Sequence, residues 1–280
     1  MKYTILAALI GGTIVLTSCQ NNHTNLQNNK DSQYNTNQNK EEHVGATKED
    51  ETTSNASQPA KNSSSSSSKD TTASIKNQLK MEGALLPTIF PISKNGYLAA
   101  KIAENTLDSY SVNFYQTDKK TAVNDSSLDT NKEIPLFASF SAKKYTNDSA
   151  DKQKDLFSTT TNVDQIPDEM AVDLGHGIKG ITEGAAGHKY LAWQEGRWIL
   201  QIESLSVDNL DQVGIAKKMV AYLEKHSLPV PHDKGRVKVN YKQGGDKVEV
   251  SIYWQNGETV YQLETEEVPN NALMMAVSVE

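Results

Sequence analysis

From Val237 to Leu263, apolar and polar residues alternate through two turns without losing phase. Val237, Val239 and Tyr241 lead into Gly244-Gly245; Val248, Val250, Ile252 and Trp254 lead away and on to Asn256-Gly257; Tyr261 and Leu263 complete the run. Asn-Gly and Gly-Gly are turn dipeptides because they tolerate positive φ. A two-residue Gly-Gly loop pairs Tyr241 with Val248 and Val239 with Val250, which keeps every apolar side chain on one face. A one-residue slip would turn the whole set to solvent, so the pattern dictates register as well as strand content. It predicts an antiparallel meander with one buried side.

The same grammar stands upstream. Lys189 to Trp193 runs into Gln194-Glu195-Gly196-Arg197 and then Trp198 to Ile202. Taking Glu195-Gly196 as the turn, Trp193 faces Trp198, and Leu191, Trp193, Trp198, Leu200 and Ile202 share a face. A helix separates the two repeats, with Leu210, Val213, Ala216, Val220 and Leu223 as its stripe, Asp208 or Ser206 as its cap, and Pro229 and Pro231 beyond its end. A shorter apolar stretch, Ala272 to Val277, comes after Pro269. The units near 178–226 and 236–280 therefore each read as hairpin then helix. That organisation predicts an α+β domain, a curved antiparallel sheet of hairpins with covering helices. Upstream, Tyr97 to Leu107 reads as a helix with Leu98, Ile102, Ala103 and Leu107 inward. Tyr110 to Tyr115 and Ile134 to Tyr145 read as strands, and Asn147 to Leu156 as a short helix or a loop.

The N-terminus bears on location. Met1-Lys2 precedes a mostly apolar run from Tyr3 to Leu16. At about 14 residues it is too short to span roughly 30 Å of hydrocarbon, and it fits the apolar core of a secretory signal. Leu16-Thr17-Ser18-Cys19 resembles a bacterial lipobox. The resemblance implies acylation of the Cys19 thiol, cleavage between Ser18 and Cys19, and anchoring to the outer face of the cell membrane. Cys19 is the one cysteine of the chain, so no thiol is left for a disulfide, a metal or a nucleophilic role. Residues 20–80 are rich in Asn, Gln, Ser, Thr and Lys, with seven lysines against seven acidic residues. They bury too little apolar surface to offset their ordering entropy, and read as a disordered tether spanning roughly 40–50 Å. The remaining segment, 81–280, is the expected folded extracytoplasmic domain, with 20 basic against 28 acidic side chains. That net negative charge argues against nucleic acid as a partner.

Lipobox, Ser-rich tether and Trp-x-x-Gly hairpins followed by a helix resemble uncharacterised surface lipoproteins of Gram-positive bacteria. Over about residues 165–280 the pattern is similar to LolA-like half-barrels, in which helices cross the concave side of a curved sheet. The likeness implies a membrane-anchored lipoprotein with no assigned catalytic residue. It carries over no ligand residue either, because carriage there belongs to a cavity.

Motifs for chemistry are few. Gly175-His176-Gly177-Ile178-Lys179-Gly180 spells G-x-G-x-x-G. A dinucleotide loop needs a helix opening after the last glycine. Here Ile181-Thr182-Glu183-Gly184-Ala185-Ala186-Gly187 reads as a strand hairpinning through Ala185-Ala186 into His188, so no nucleotide is expected. The six histidines, at 23, 43, 176, 188, 226 and 232, match no zinc spacing, and neither metal nor cofactor is expected. His176 facing His188 across a hairpin, with Glu183, is the metal-site or wall-hydrolase alternative. Glu195 and Glu203 are a carboxylate pair placed too far apart for glycoside hydrolysis. Trp193 and Trp198 read as core; exposed, they would join Trp254 and Tyr261 as ligand contacts. The leading expectation is a non-catalytic domain binding an apolar ligand or an envelope protein. An envelope sensor or inhibitor acting through a protein partner is the other alternative.

Overall fold

The computed structural model describes residues 63–280 except 132, 146–155, 159–160, 164 and 233. The signal run, Ser18, Cys19 and most of the expected tether lie outside the described residues, as does nearly all of Asn147 to Leu156.

Ten strands form one sheet: β1 (Tyr97–Asn105), β2 (Ser109–Thr117), β3 (Leu136–Lys144), β4 (Ala171–Asp173), β5 (Lys179–Ala185), β6 (His188–Glu195), β7 (Trp198–Leu205), β8 (Gly235–Tyr241), β9 (Val248–Asn256) and β10 (Thr259–Thr265). Their spatial order is β1-β2-β3-β10-β9-β8-β7-β6-β5-β4. All neighbours are antiparallel except β7 and β8, which run parallel. The helices are α1 (Ser63–Lys76), the single turn α2 (Ser127–Thr130), α3 (Gln212–Leu223) and α4 (Pro269–Val277). Helix α3 makes the crossover that a parallel pair requires. The domain is thus α+β, with helices against a mostly antiparallel sheet.

Alternation sets the two faces. Leu191, Trp193, Leu200, Val237, Val250 and Trp254 join Ala216, Met219 and Val220 of α3 and Leu273 and Met275 of α4 in one buried cluster. On the opposite face Ile181, Ala192 and Ile199 are covered by Val163 and Ile166. Tyr110 brings a hydroxyl into the main core. It donates to the Leu85 carbonyl, and burial, with the neighbouring Tyr261, pushes its pKa up.

The Gly-Gly hairpin has the expected register, with Tyr241 opposite Val248 and Val239 opposite Val250. The Trp198 hairpin differs by one step in the turn. Its loop is Gly196-Arg197, so Glu195 faces Trp198 and Trp193 faces Leu200. The Asn-Gly hairpin likewise turns at Gly257-Glu258, with Asn256 opposite Thr259. In both, the glycine takes the first loop position at φ +60°, which suits a type II′ turn. Gln194 Nε2 and Gln255 Nε2 each donate to that glycine's carbonyl at 2.8 Å. Moving the loop by one residue shifts pairing by two, so the expected faces survive.

Three other expectations are corrected. Helix α3 is capped by Asp211, whose Oδ1 accepts from Gly214 N at 2.8 Å, not by Asp208 or Ser206. Tyr97 to Asn105 is edge strand β1 rather than a helix. Its small buried Ala99 and Ala100 let the sheet extend beyond β2. Asn124 closes β1's outer edge, donating its N–H to Ala100 O at 2.9 Å and accepting Ile102 N at 2.8 Å.

The tether, expected to run to residue 80, gives way to the fold by residue 63. Ser68, Thr72 and Ile75 of α1 are buried, spaced as one helical face, and Thr72 Oγ1 donates to Pro87 O at 2.9 Å. A chain starting at residue 81 should therefore melt about 5 °C or more below one starting at residue 63, since loss of Ile75 alone is worth about 2–5 kcal/mol. Calorimetry of the two chains checks this; equal melting temperatures would return α1 to the tether.

Candidate functional site

The G-x-G-x-x-G stretch is a strand–turn–strand. Gly175, His176 and Gly177 all have positive φ, at 86°, 53° and 76°, within the turn that joins β4 to β5. The turn points Leu174 inward, where it is 1% exposed. Gly180 lies on β5 against it: a Cβ there would meet Leu174 Cδ1 and Leu191 Cδ1 at 3.0 Å and Ala192 O at 3.2 Å. Each glycine thus serves one packed hairpin corner, and the chain leaves that corner as strand β5 rather than as a helix. That strand turns through Ala186-Gly187, one residue beyond the expected Ala185-Ala186, with Ala185 opposite His188.

The polar candidates are separated. His176 and His188 sit at opposite ends of the β5–β6 ladder, whose six pairs span roughly 17 Å. His188 Nδ1 is 3.2 Å from Glu203 Oε1, and Glu203 Oε2 is 3.6 Å from Lys238 Nζ. Glu183 accepts from Thr161 Oγ1 at 2.9 Å. His176 Nδ1 is 3.8 Å from Glu224 Oε2, just past the end of α3. Glu195 pairs with Trp198, an odd step along β7 from Glu203, so the two carboxylates lie on opposite faces of the sheet. Among the described residues no three His, Cys, Asp or Glu side chains come together as a metal site.

The aromatic candidates are core. Trp193, Trp254, Tyr261 and Trp198 are 0%, 1%, 6% and 6% exposed. Trp254 stacks on Tyr261 at 5.2 Å and meets Trp198 at 6.2 Å and Phe140 at 5.9 Å. They are not an exposed platform, and they belong to the buried cluster that includes residues of α3 and α4.

Trp198 lines a pocket of 350 Å³ where the β6–β7 turn meets the segment after α3. Leu228, Pro229 and Pro231 complete an apolar wall. Trp198 Nε1 donates to Pro229 O at 3.1 Å, and Arg197 Nη1 to Pro231 O at 2.9 Å and His232 O at 3.2 Å. The segment is therefore fastened to the turn. Into this wall is set Glu195, half-buried, whose Oε1 accepts the Trp193 indole N–H at 2.8 Å. Burial pushes the Glu195 carboxyl above the usual range; the Trp193 bond opposes this, Glu224 reinforces it and His176 opposes it.

No family model, curated protein or solved structure matches the chain.

Two further pockets have polar groups already engaged. In one of 490 Å³, Asp211 caps α3 and Gln212 Nε2 donates to Lys189 O at 2.9 Å and Ser204 Oγ at 3.0 Å. In one of 260 Å³ on the face away from α3 and α4, Glu249 pairs with Lys242 at 2.5 Å and Glu264 accepts from Gln262 at 2.6 Å. In the Glu195 pocket an apolar wall meets a carboxylate that accepts from a neutral donor, the Trp193 N–H. The sequence weighs Glu195 and Trp198 as site residues, but places Arg197 only in the turn and gives no site role to residues 226–231. The signal present was Pro229 and Pro231, read only as a helix stop.

Proposed function

We propose that this chain is an exported lipoprotein, cleaved between Ser18 and Cys19 and held on the outer face of a bacterial membrane through lipidated Cys19. Its folded part is a non-catalytic binding domain presented beyond the tether. The observation that carries the binding reading is the Glu195 pocket. One carboxylate set into an apolar wall suffices to hold a ligand. A wall hydrolase built on His176, Glu183 and His188 is less favoured, because the three groups face different neighbours in different places.

The LolA-like half-barrel is a finer reading that we also propose. It is supported by the antiparallel meanders with helices against their apolar face. Within it the ligand belongs at the rim, since Trp254 and Tyr261 are buried in the core cluster shared with the helices.

Anchoring is tested by Cys19→Ser. Metabolic labelling with an alkyne fatty acid should mark the membrane-bound protein, and the variant should lose at least nine-tenths of the label and appear in the medium (about tenfold, as anchoring rests on buried acyl CH₂ groups). Label retained on the variant would overturn the assignment.

A further inference from the structure

The Glu195 pocket carries more than a general binding role, because among the described residues its carboxylate is hydrogen-bonded by the neutral Trp193 N–H and sits in no ion pair. Arg197, the arginine of the lining, spends Nη1 on the Pro231 and His232 carbonyls. His226 has its Nδ1 at 2.9 Å from Tyr222 O and its ring stacked on Tyr222 at 4.1 Å. Glu224 adds a second negative charge near Glu195, and His176 lies against Glu224 rather than on the pocket wall. Facing this carboxylate are the Trp198 ring, suited to a cation or a methylene chain, and Leu228 and Pro229. At the rim Val230 is 77% exposed, an apolar side chain that a protein surface would cover and a small solute would not.

We propose that this pocket takes a lysine side chain of a protein partner, with its ammonium on the Glu195 carboxylate and its methylene stem along Trp198, Leu228 and Pro229. The proposal rests on the reading of the domain as a binding module and names its partner chemistry. An ammonium there would gain a charge-assisted hydrogen bond in a partly dried site, and its methylene stem would meet apolar lining. A guanidinium would have to compete with Arg197 for the same rim.

The test is saturation-transfer NMR on the full chain in detergent with two probes, Nα-acetyl-lysine amide and Nα-acetyl-norleucine amide, which differ in the ammonium alone. The lysine probe should receive saturation along its stem and bind at least tenfold tighter than the norleucine probe, and Glu195→Gln should remove that difference. Glu195→Gln is expected to fold. A carboxyl whose folded pKa is raised contributes stability below its unfolded pKa and loses it as pH rises through the folded pKa. The variant should therefore be at least as stable as the parent at pH 7, with the advantage shrinking as pH falls through the raised folded pKa and gone below the ordinary glutamate range. Equal binding of the two probes, or undiminished lysine binding by a folded Glu195→Gln, would overturn the proposal. So would n-pentylammonium binding tighter than the lysine probe, which would make this a small-amine site. Any of these with Cys19 still acylated leaves the lipoprotein reading standing; loss of acylation alone removes that reading and leaves the pocket's chemistry untouched.

Discussion

Replacing Trp254 with alanine should cost about 3–5 kcal/mol of folding free energy, a third or more of what a domain of this size usually holds. Trp254 lies opposite Gly235 of β8 and Tyr261 of β10. Its indole contacts rings from three other strands: Trp198 of β7, Phe140 of β3 and Tyr261. Through it the upstream hairpin, the downstream meander and the N-terminal strands share one cluster. The fit leaves no slack, since a Cβ at Gly235 would come within 2.5 Å of the Trp198 ring. Truncation therefore loses transfer free energy and opens a cavity that β-strands pinned on both sides cannot collapse into. Urea titration should show the midpoint falling while the slope stays constant, and Trp254→Phe should cost less than half as much. A cost below about 1 kcal/mol for the alanine variant would mean that this aromatic cluster is dispensable.

How much of the fold is legible in the sequence depends on how local each signal is. The Gly-Gly hairpin came through with its register because turn and alternation constrain the same few residues from both sides. The Trp198 and Asn-Gly hairpins came through in face but not in loop, since period-two patterning is blind to a pairing shift of two. Strand β1 was hidden because Leu98, Ala99 and Ala100 carry helical propensity that the pairing with β2 overrides. Helix α1 was hidden for the opposite reason. A serine run has little drive to fold alone, but Ser68, Thr72 and Ile75 are small or apolar where the fold presses on them. The aromatics named as ligand contacts were legible as core from their alternation alone. The pocket was not, because its wall joins a turn to a segment some thirty residues later, and no local pattern links Trp198 with Pro229.

The G-x-G-x-x-G stretch offers a sharper test, because its two readings predict opposite outcomes. In the hairpin-corner reading, Leu174→Ala should destabilise the domain by about 2–5 kcal/mol, as for any well-packed leucine. Gly180→Ala should also destabilise it, since the new methyl meets Leu174, Leu191 and the Ala192 carbonyl. The two changes share one space. In the Leu174→Ala background the methyl at residue 180 gains room, so the double variant should be more stable than the sum of the singles by about 0.5–3 kcal/mol. His176 touches none of this; it occupies a left-handed position between two glycines, and His176→Gly should leave stability unchanged or raise it slightly, because non-glycine residues there carry strain. A phosphate loop would behave otherwise. Its glycines would be independent of Leu174, the cycle would close additively, and ATP or NAD would raise the melting temperature of the parent chain. Coupling without nucleotide stabilisation would leave these three glycines as the means by which β4 turns into β5 over a buried leucine.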